Sequence, residues 1–463
     1  MNYTGRNAVV LGLGLTGFSL ARHLAARGAA VRVADTRAAP PFADKLAAAL
    51  PRVPVTRGPF NDATLAGADL IAISPGVAKD QPVIRAAVEG GGELVGDIEC
   101  FARELPPGPK VLAITGSNGK TTVTALTGAL CRAAGLATVV AGNIGDAVLD
   151  ALPTDGCWPD VFVLELSSFQ LETTCTLAPT AACVLNVSDN HLDRYAGIDD
   201  YAAAKARIFR NGGIQVLNRD DPRSIAMRIS GRLVQTFGAG VPESEEAWGL
   251  VDRGARHDGV PETWLARGGA LLVPAADLKL VGRHNALNAL AALALASAVA
   301  KIDRNLLAAL ARFEGLPHRM QRIAEVGGVL FIDDSKGTTV AATRVALEGL
   351  NRPVVLIAGG DGKGQDFASL RTAVEAHCRA VLLIGRDAPA IERALVGTTT
   401  VIERVGTLDA AVPHAIRIAQ PGDAVVLSPA CASLDQFANY VERGERFAGL
   451  VRAHQEAEVA SHA

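Results

Sequence analysis

None of the seven cysteines in the 463 residues forms a C-x-x-C pair. That argues against a zinc ribbon and a disulfide framework, and a reducing, cytoplasmic setting fits. An excess of either charge is also missing: 45 Lys and Arg stand against 48 Asp and Glu, for a net charge of -3. Neither nucleic acid nor an anionic membrane is therefore expected as the main partner, although local basic residues could hold a phosphorylated small molecule. The longest apolar run, residues 286–300, contains Asn288 and Ser297. It falls short of the roughly 20 apolar residues of a membrane span and reads as a buried helix. The stretch 8–20 is broken by glycines and lacks a basic flank, so no secretory signal is expected. Repeats are absent, and low complexity is confined to 456–463. With 49% hydrophobic residues, the chain has ample material for two to four packed domains.

Three α/β units follow one another. In the first, an apolar strand at 7–11 leads through a Gly-rich turn into a helix at 16–26, followed by strands at 30–34 and 69–73. The second begins near Cys100, with apolar strands at 111–115, 161–166 and 181–187. Such continuous runs are what a parallel sheet covered on both faces requires. The polar, Gly-rich stretch 241–269 reads as hairpins or surface loops. The third unit starts near Leu316, with strands at 329–332, 354–358, 380–384 and 424–427, each ending at a small or polar cluster. The expected fold is α/β in three domains: a Rossmann-like domain at 1–98, a central P-loop ATPase-type parallel sheet at 99–315, and a Rossmann-like domain at 316–463. Ligands of such sheets bind at the carboxyl ends of the strands.

Two glycine loops carry the chemistry. Gly12-Leu13-Gly14-Leu15-Thr16-Gly17 follows a strand, precedes a helix, and is followed 18 residues later by Asp35. This is a dinucleotide fingerprint in its proper context, and NAD or another diphosphate ligand fits it equally well. The second loop, Gly116-Ser117-Asn118-Gly119-Lys120-Thr121-Thr122, is more specific. Its N–H groups can cradle phosphates, Lys120 can reach the terminal ones, and Thr121 can hold Mg²⁺. It departs from the general phosphate-loop pattern in having Ile114 where the first glycine would stand. Beside such a loop, Glu165 at the end of an apolar strand reads as a metal ligand, since an unpaired carboxylate there would be costly. By itself, His191 reads as structural or surface, and Lys205, on a helical stretch, as a solvated lysine.

The second loop resembles the shortened phosphate loop of the Mur ligase family. Further segments match in order: Gly142-Asn143-Ile144-Gly145, Glu165-Leu166-Ser167-Ser168-Phe169-Gln170-Leu171, Asn186 to Tyr195 including His191, Tyr201 to Arg207 around Lys205, Gly282-Arg283-His284-Asn285, Leu316-Pro317-His318-Arg319 and Asp334-Ser335-Lys336. The first loop with Asp35-Thr36-Arg37, and the segment from Leu427 to Phe437, are most similar to the branch that adds D-glutamate. Gly337 and Thr339 stand where the family commonly has Ala and Asn, and Asn190 where an acid often sits.

The resemblance implies an ATP-dependent amide ligase of peptidoglycan-precursor synthesis. It would take UDP-N-acetylmuramoyl-L-alanine, D-glutamate and ATP, with Mg²⁺ at two sites, as a cytoplasmic monomer. It implies ATP contacts from Gly116, Ser117, Asn118, Gly119, Lys120, Thr121, Thr122, Asn285, Arg319, Asp334 and Lys336. Leu15, Thr16, Asp35, Thr36, Arg37, Ser74, Gly76 and Asn143 would hold the UDP-linked substrate, and Thr338, Lys363, Ser428 and Phe437 the D-glutamate. Thr121, Glu165, His191 and Lys205, the last as a carbamate, would serve the metals, with Lys120, His191 and Lys205 catalytic. A sister Mur or folylpolyglutamate-type ligase, a non-catalytic nucleotide-binding module and an NAD-dependent oxidoreductase are the alternatives.

Overall fold

The computed structural model describes residues 1–188, 194–255, 261–280, 282–350 and 352–461. The chain packs as two compact units. One includes residues 1–251 and carries the first sheet and most of the second; the other includes 310–463 and carries the third.

The first sheet contains β1 (Asn7–Leu11), β2 (Ala30–Asp35), β3 (Val55–Arg57), β4 (Leu70–Ile73) and β5 (Glu93–Val95) in the order β3-β2-β1-β4-β5, all parallel. Leu11 is in register with Ala34 on one side and Ile73 on the other. That register brings the turn after β1, Asp35 and Ser74 to one edge. The two central strands show no alternation of apolar and polar residues. Ala8 through Leu11 and Leu70 through Ile73 are all buried, as expected of a parallel sheet covered on both faces.

The second sheet is built on β6 (Lys110–Thr115), β7 (Thr138–Gly142), β8 (Val161–Glu165), β9 (Ala181–Val184), β10 (Ile214–Asn218) and β11 (Val234–Phe237). Their order is β11-β10-β9-β6-β8-β7, again parallel. Ile114 pairs with Glu165, Glu165 with Gly142, and Thr115 with Val184. The phosphate loop therefore emerges beside Glu165 and the segment after β9. That strand is shorter than its apolar run, since residues from 185 onward turn aside to bond the loop. The stretch 241–269, expected as hairpins or surface loops, contains β12 (Ala247–Ala255) and most of β13 (Pro261–Arg267), which neighbour each other in the sheet, with β14 (Ala270–Pro274) next to β13.

The third sheet takes β15 (Gln321–Val326), β16 (Val329–Asp333), β17 (Val354–Gly359), β18 (Cys378–Ile384), β19 (Val401–Gly406) and β20 (Ala424–Leu427) in the order β15-β16-β20-β17-β18-β19. Only β15 runs antiparallel to its neighbour. Asp333 and Ile357 both pair with Leu427, which places Asp334, Ser428 and Gly360 at adjoining strand ends.

Candidate active site

At the first sheet's carboxyl edge, Asp35 is 1% exposed. Its carboxylate accepts the Leu13 N–H at 2.6 Å and two guanidinium bonds from Arg37 at 2.8 and 2.6 Å. The Arg37 hydrogen bonds, aided by the N–H donors of Leu13 and Arg37, hold its pKa down at about 2. Ser74 donates its hydroxyl to Gly12 O at 2.9 Å, joining the turn after β4 to the glycine turn after β1. Leu15 is exposed above this edge. A Cβ on Gly17 would lie 1.8 Å from Gly12 O, so the third glycine is required by close helix–turn packing.

The phosphate loop is shaped from outside as well as within. Gly119 sits at φ +81°, a left-handed conformation that glycine adopts without strain, and the helix Lys120–Ala133 starts directly after it. Asn186 accepts the Asn118 N–H at 2.8 Å and donates back to Asn118 O at 3.1 Å. Ser117 N donates to Asn186 O at 2.9 Å, and the Ser117 hydroxyl joins Ser188. Lys120 Nζ lies 2.9 Å from the carbonyls of both Gly116 and Ser117, so its ammonium is folded over the loop.

Lys205 overturns the reading of a solvated side chain. It is 1% exposed, donates to Gly116 O at 2.8 Å, and packs 4.2 Å from the Tyr201 ring centroid. Burial, and secondarily the nearby charge of Lys120, lower its pKa from 10.5 to about 6. At neutral pH this is a largely uncharged, nucleophilic amine beside the phosphate loop. Glu165 is 2% exposed. Its Oε1 accepts from Asn143 at 2.9 Å, while Oε2 is buried with no hydrogen-bond partner among the described residues. An anionic oxygen left open in a buried position suits a cation. Among the described residues no three His, Cys, Asp or Glu side chains cluster as a ready-made metal site. His191 lies outside the described residues.

In the unit holding the third sheet, Asp334 is buried. It accepts from Ser428 Oγ at 2.7 Å and from Met320 N at 3.2 Å. Burial raises its pKa to about 7. The Ser428 hydroxyl is thus engaged inside the protein, where Thr343 Oγ1 also lies 3.0 Å away. Lys336 Nζ is 5.1 Å from the Tyr440 ring centroid, and Lys363 is exposed with φ +50°. Phe437 is half-buried against the core cluster that contains Leu427 and Phe447. Thr338 and Arg319 are partly exposed. Asn285 is buried inside the first turn of the helix Arg283–Ala296, past the N-cap position, and accepts from Asn288 at 3.0 Å.

Four contributors had no role assigned from the sequence, although Asn186 and Arg194 lie in the matched segment around His191. Asn186 shapes the phosphate loop. Asp97, buried, accepts from Gln170 at 2.8 Å. Arg194 bonds the carbonyls of Pro75 and Val77. Arg443 is 1% exposed and holds Ser335 and Cys431 O. The Arg443–Gly444 pair carried a usable signal: a Cβ at 444 would lie 2.1 Å from His318 Nδ1, so the glycine marks a close approach.

A parallel sheet closed by a Lys-bearing glycine loop, with a second, buried lysine bonded to the loop's Gly116 carbonyl, defines a nucleotide-phosphate-binding α/β protein. More particularly, residues 6–96 match the Mur ligase MurD-like N-terminal domain, 114–296 the Mur ligase middle domain, and 318–431 the Mur ligase glutamate ligase domain. The chain belongs to the Mur ligase family and is an ATP-dependent ligase. It is 52% identical to a UDP-N-acetylmuramoylalanine--D-glutamate ligase of Thiobacillus denitrificans, over 99% of this chain and 100% of that one. A protein of the same name from Methylobacillus flagellatus is 53% identical, over 98% and 99%. The crystal structure of a UDP-N-acetylmuramate-alanine ligase from Thermotoga maritima shares the fold, with a TM-score of 0.57 at 20% identity over 97% of this chain and all of that one. The expected three-domain α/β class holds. No described helix is long and apolar enough to cross a membrane.

Proposed function

We propose that this chain joins D-glutamate to UDP-N-acetylmuramoyl-L-alanine at the expense of ATP, in peptidoglycan-precursor synthesis. Identity of about half to D-glutamate ligases along the full length carries the choice of substrates. A cytoplasmic monomer of three domains, bounded near residues 98 and 315, is the form we assign to it.

The phosphate loop would bind the ATP phosphates through its N–H groups, and Lys120 would leave its carbonyl partners to meet the terminal phosphate. The substrate carboxylate oxygen attacks the γ-phosphorus, and the bond to ADP breaks. The D-glutamate amine then attacks the acyl carbon of the resulting acyl phosphate; phosphate leaves and the amine loses a proton. Mg²⁺, when bound, neutralises the phosphate oxygens. Thr121, the open Oε2 of Glu165, His191 and carbamylated Lys205 would hold it at two sites. Lys205 supports this role because a neutral amine can attack carbon dioxide, losing a proton and gaining a carboxylate-like head. Leu15, Thr16, Asp35, Thr36, Arg37, Ser74, Gly76 and Asn143 would take the UDP-linked substrate. Asn285, Arg319, Asp334 and Lys336 would complete the nucleotide site, and Thr338, Lys363, Ser428 and Phe437 the amino-acid site. Ser428 would act in part through its hold on Asp334.

The test is phosphate release from ATP with UDP-N-acetylmuramoyl-L-alanine and, in turn, D-glutamate, L-glutamate, D-alanine and L-alanine. Release should require D-glutamate. Equal release with L-alanine, or none with any amino acid, would refute the assignment.

A further inference from the structure

The turn 74–77 is one of the proposed seats of the UDP-linked substrate. It is held on one side by Ser74 Oγ on Gly12 O, and closed by Val77 N on Ser74 O at 2.9 Å. On its other side stands a residue from the middle domain. Arg194 donates from Nη1 to Pro75 O at 3.0 Å and from Nη2 to Val77 O at 3.2 Å. The same Nη2 meets Glu172 Oε2 at 3.2 Å, and the guanidinium lies 4.2 Å from the Phe169 ring centroid. The Arg194 and Glu172 side chains are 15% and 8% exposed, so the planar fork is held from three directions away from most solvent.

We propose that Arg194 is a positioning residue that ties the 74–77 turn to the phosphate-loop domain and thereby sets the affinity for the UDP-linked substrate. This rests on the reaction assigned above. The tie continues inward. Phe169 stacks on Tyr195 at 6.0 Å between centroids, Tyr195 meets Tyr201 at 5.3 Å, and Tyr201 carries Lys205 at 4.2 Å. Lys205 bonds Gly116 O, the carbonyl that Lys120 also engages. One unbroken run of contacts therefore joins the substrate turn to the phosphate loop.

Arg194 is not needed merely to keep the two domains together. Ser19 bonds Asp150 at 2.9 Å, and Asp97 accepts from Gln170 at 2.8 Å. These contacts remain when the guanidinium is removed. What is lost is the grip on two carbonyls of one turn, which only a forked donor makes at once.

The experiment is steady-state kinetics on the full chain, with Arg194→Ala and Arg194→Lys, together with hydrogen exchange across residues 74–77. For Arg194→Ala the KM for UDP-N-acetylmuramoyl-L-alanine should rise about tenfold, while the KM values for ATP and D-glutamate shift by less than about twofold. Exchange at 74–77 should quicken, guanidinium ion in the buffer should restore part of the lost affinity, and Arg194→Lys should recover little, because an ammonium lacks the fork. Parallel shifts in all three KM values, or exchange at 74–77 unchanged from wild type, would overturn the proposal. Wild-type turnover of this substrate is measured alongside. Its failure would remove the assigned reaction, whereas the exchange comparison still judges the tie itself.

Discussion

The two glycine loops share one geometry and opposite electrostatics. Each follows a buried parallel strand and opens a helix that has no side-chain cap. In the first, the loop N–H of Leu13 is already met by the carboxylate of Asp35. In the second, the loop carbonyls of Gly116 and Ser117 are met by the ammonium of Lys120. A helix N-terminus favours anions in both places, yet only the second loop carries a cation of its own for them. The first presents a fixed acid, which suits the N–H and O–H donors of a nucleoside better than phosphate oxygens. Glycine spacing alone is thus silent about the ligand; the charged residue at the next strand's end, or within the loop, decides.

The largest expected break in this comparison is Lys120→Ala. Removing the cation assigned above to the transferring phosphoryl group should lower kcat about 10³-fold, while the thermal unfolding midpoint stays near wild type. A variant retaining a tenth of the activity would show that the second loop works by its N–H groups alone. Lys205→Ala comes next, with a loss of about 100-fold that bicarbonate partly restores. An unimpaired variant would sink the carbamate assignment. Its pH behaviour has a definite sign. The pKa in the folded protein, about 6, lies below the ordinary 10.5, so the unfolded chain binds the extra proton between these values. Stability from this group therefore rises with pH from about 6 toward 10.5, and carbon dioxide capture should fail below about pH 6.

How far these features could be read in advance depended on whether burial left a mark in local sequence. The central strands were legible because a strand covered on both faces must be apolar throughout, as in Val161–Glu165 and Val354–Gly359. The three-residue strands Val55–Arg57 and Glu93–Val95 were not, being short and partly exposed at sheet edges. Nor was β19, where Glu403 and Arg404 interrupt the apolar run. Both loops stood out because glycine is needed where backbone approaches backbone. Lys205 did not, because the surrounding alanines mark no face of the helix. Its burial is created by Tyr201 and Gly116, which lie on other turns or other strands. Asn186 and Arg194 act only through residues distant along the chain, and no spacing rule reaches that far.

The comparison sharpens at the glycines themselves. Gly17→Ala would put a methyl group 1.8 Å from a backbone carbonyl, whereas a methyl at Gly14, three residues earlier in the same loop, has nothing within 4 Å. The first should destabilise by about 1–3 kcal/mol or more, and the second by much less, in denaturant unfolding. Equal losses would mean that backbone freedom, rather than close packing, explains the third glycine.

The smallest effect tests the acid that distinguishes the first loop. Asp35 has its pKa lowered from 3.8 to about 2, chiefly by the hydrogen bonds from Arg37. A carboxyl whose pKa falls on folding contributes stability above its unfolded value, and that contribution disappears as pH drops through the folded value. The window here runs from about pH 4 down to about pH 2. Because the Arg37 side chain is 51% exposed, solvent screens the pair, and about 1 kcal/mol is the reasonable size of the contribution. Asp35→Asn should therefore be less stable than wild type by about that amount at pH 7, with the gap narrowing as acid is added. The amide keeps one acceptor oxygen, enough for Leu13 N and Arg37 Nη2, but turns its nitrogen toward the donors Arg37 N and Nε, so the pH-dependent part of the gap, and not its size at pH 7, reports the charge. A gap that stays constant below pH 4 would show that shape, not charge, makes this loop unlike its phosphate-binding counterpart.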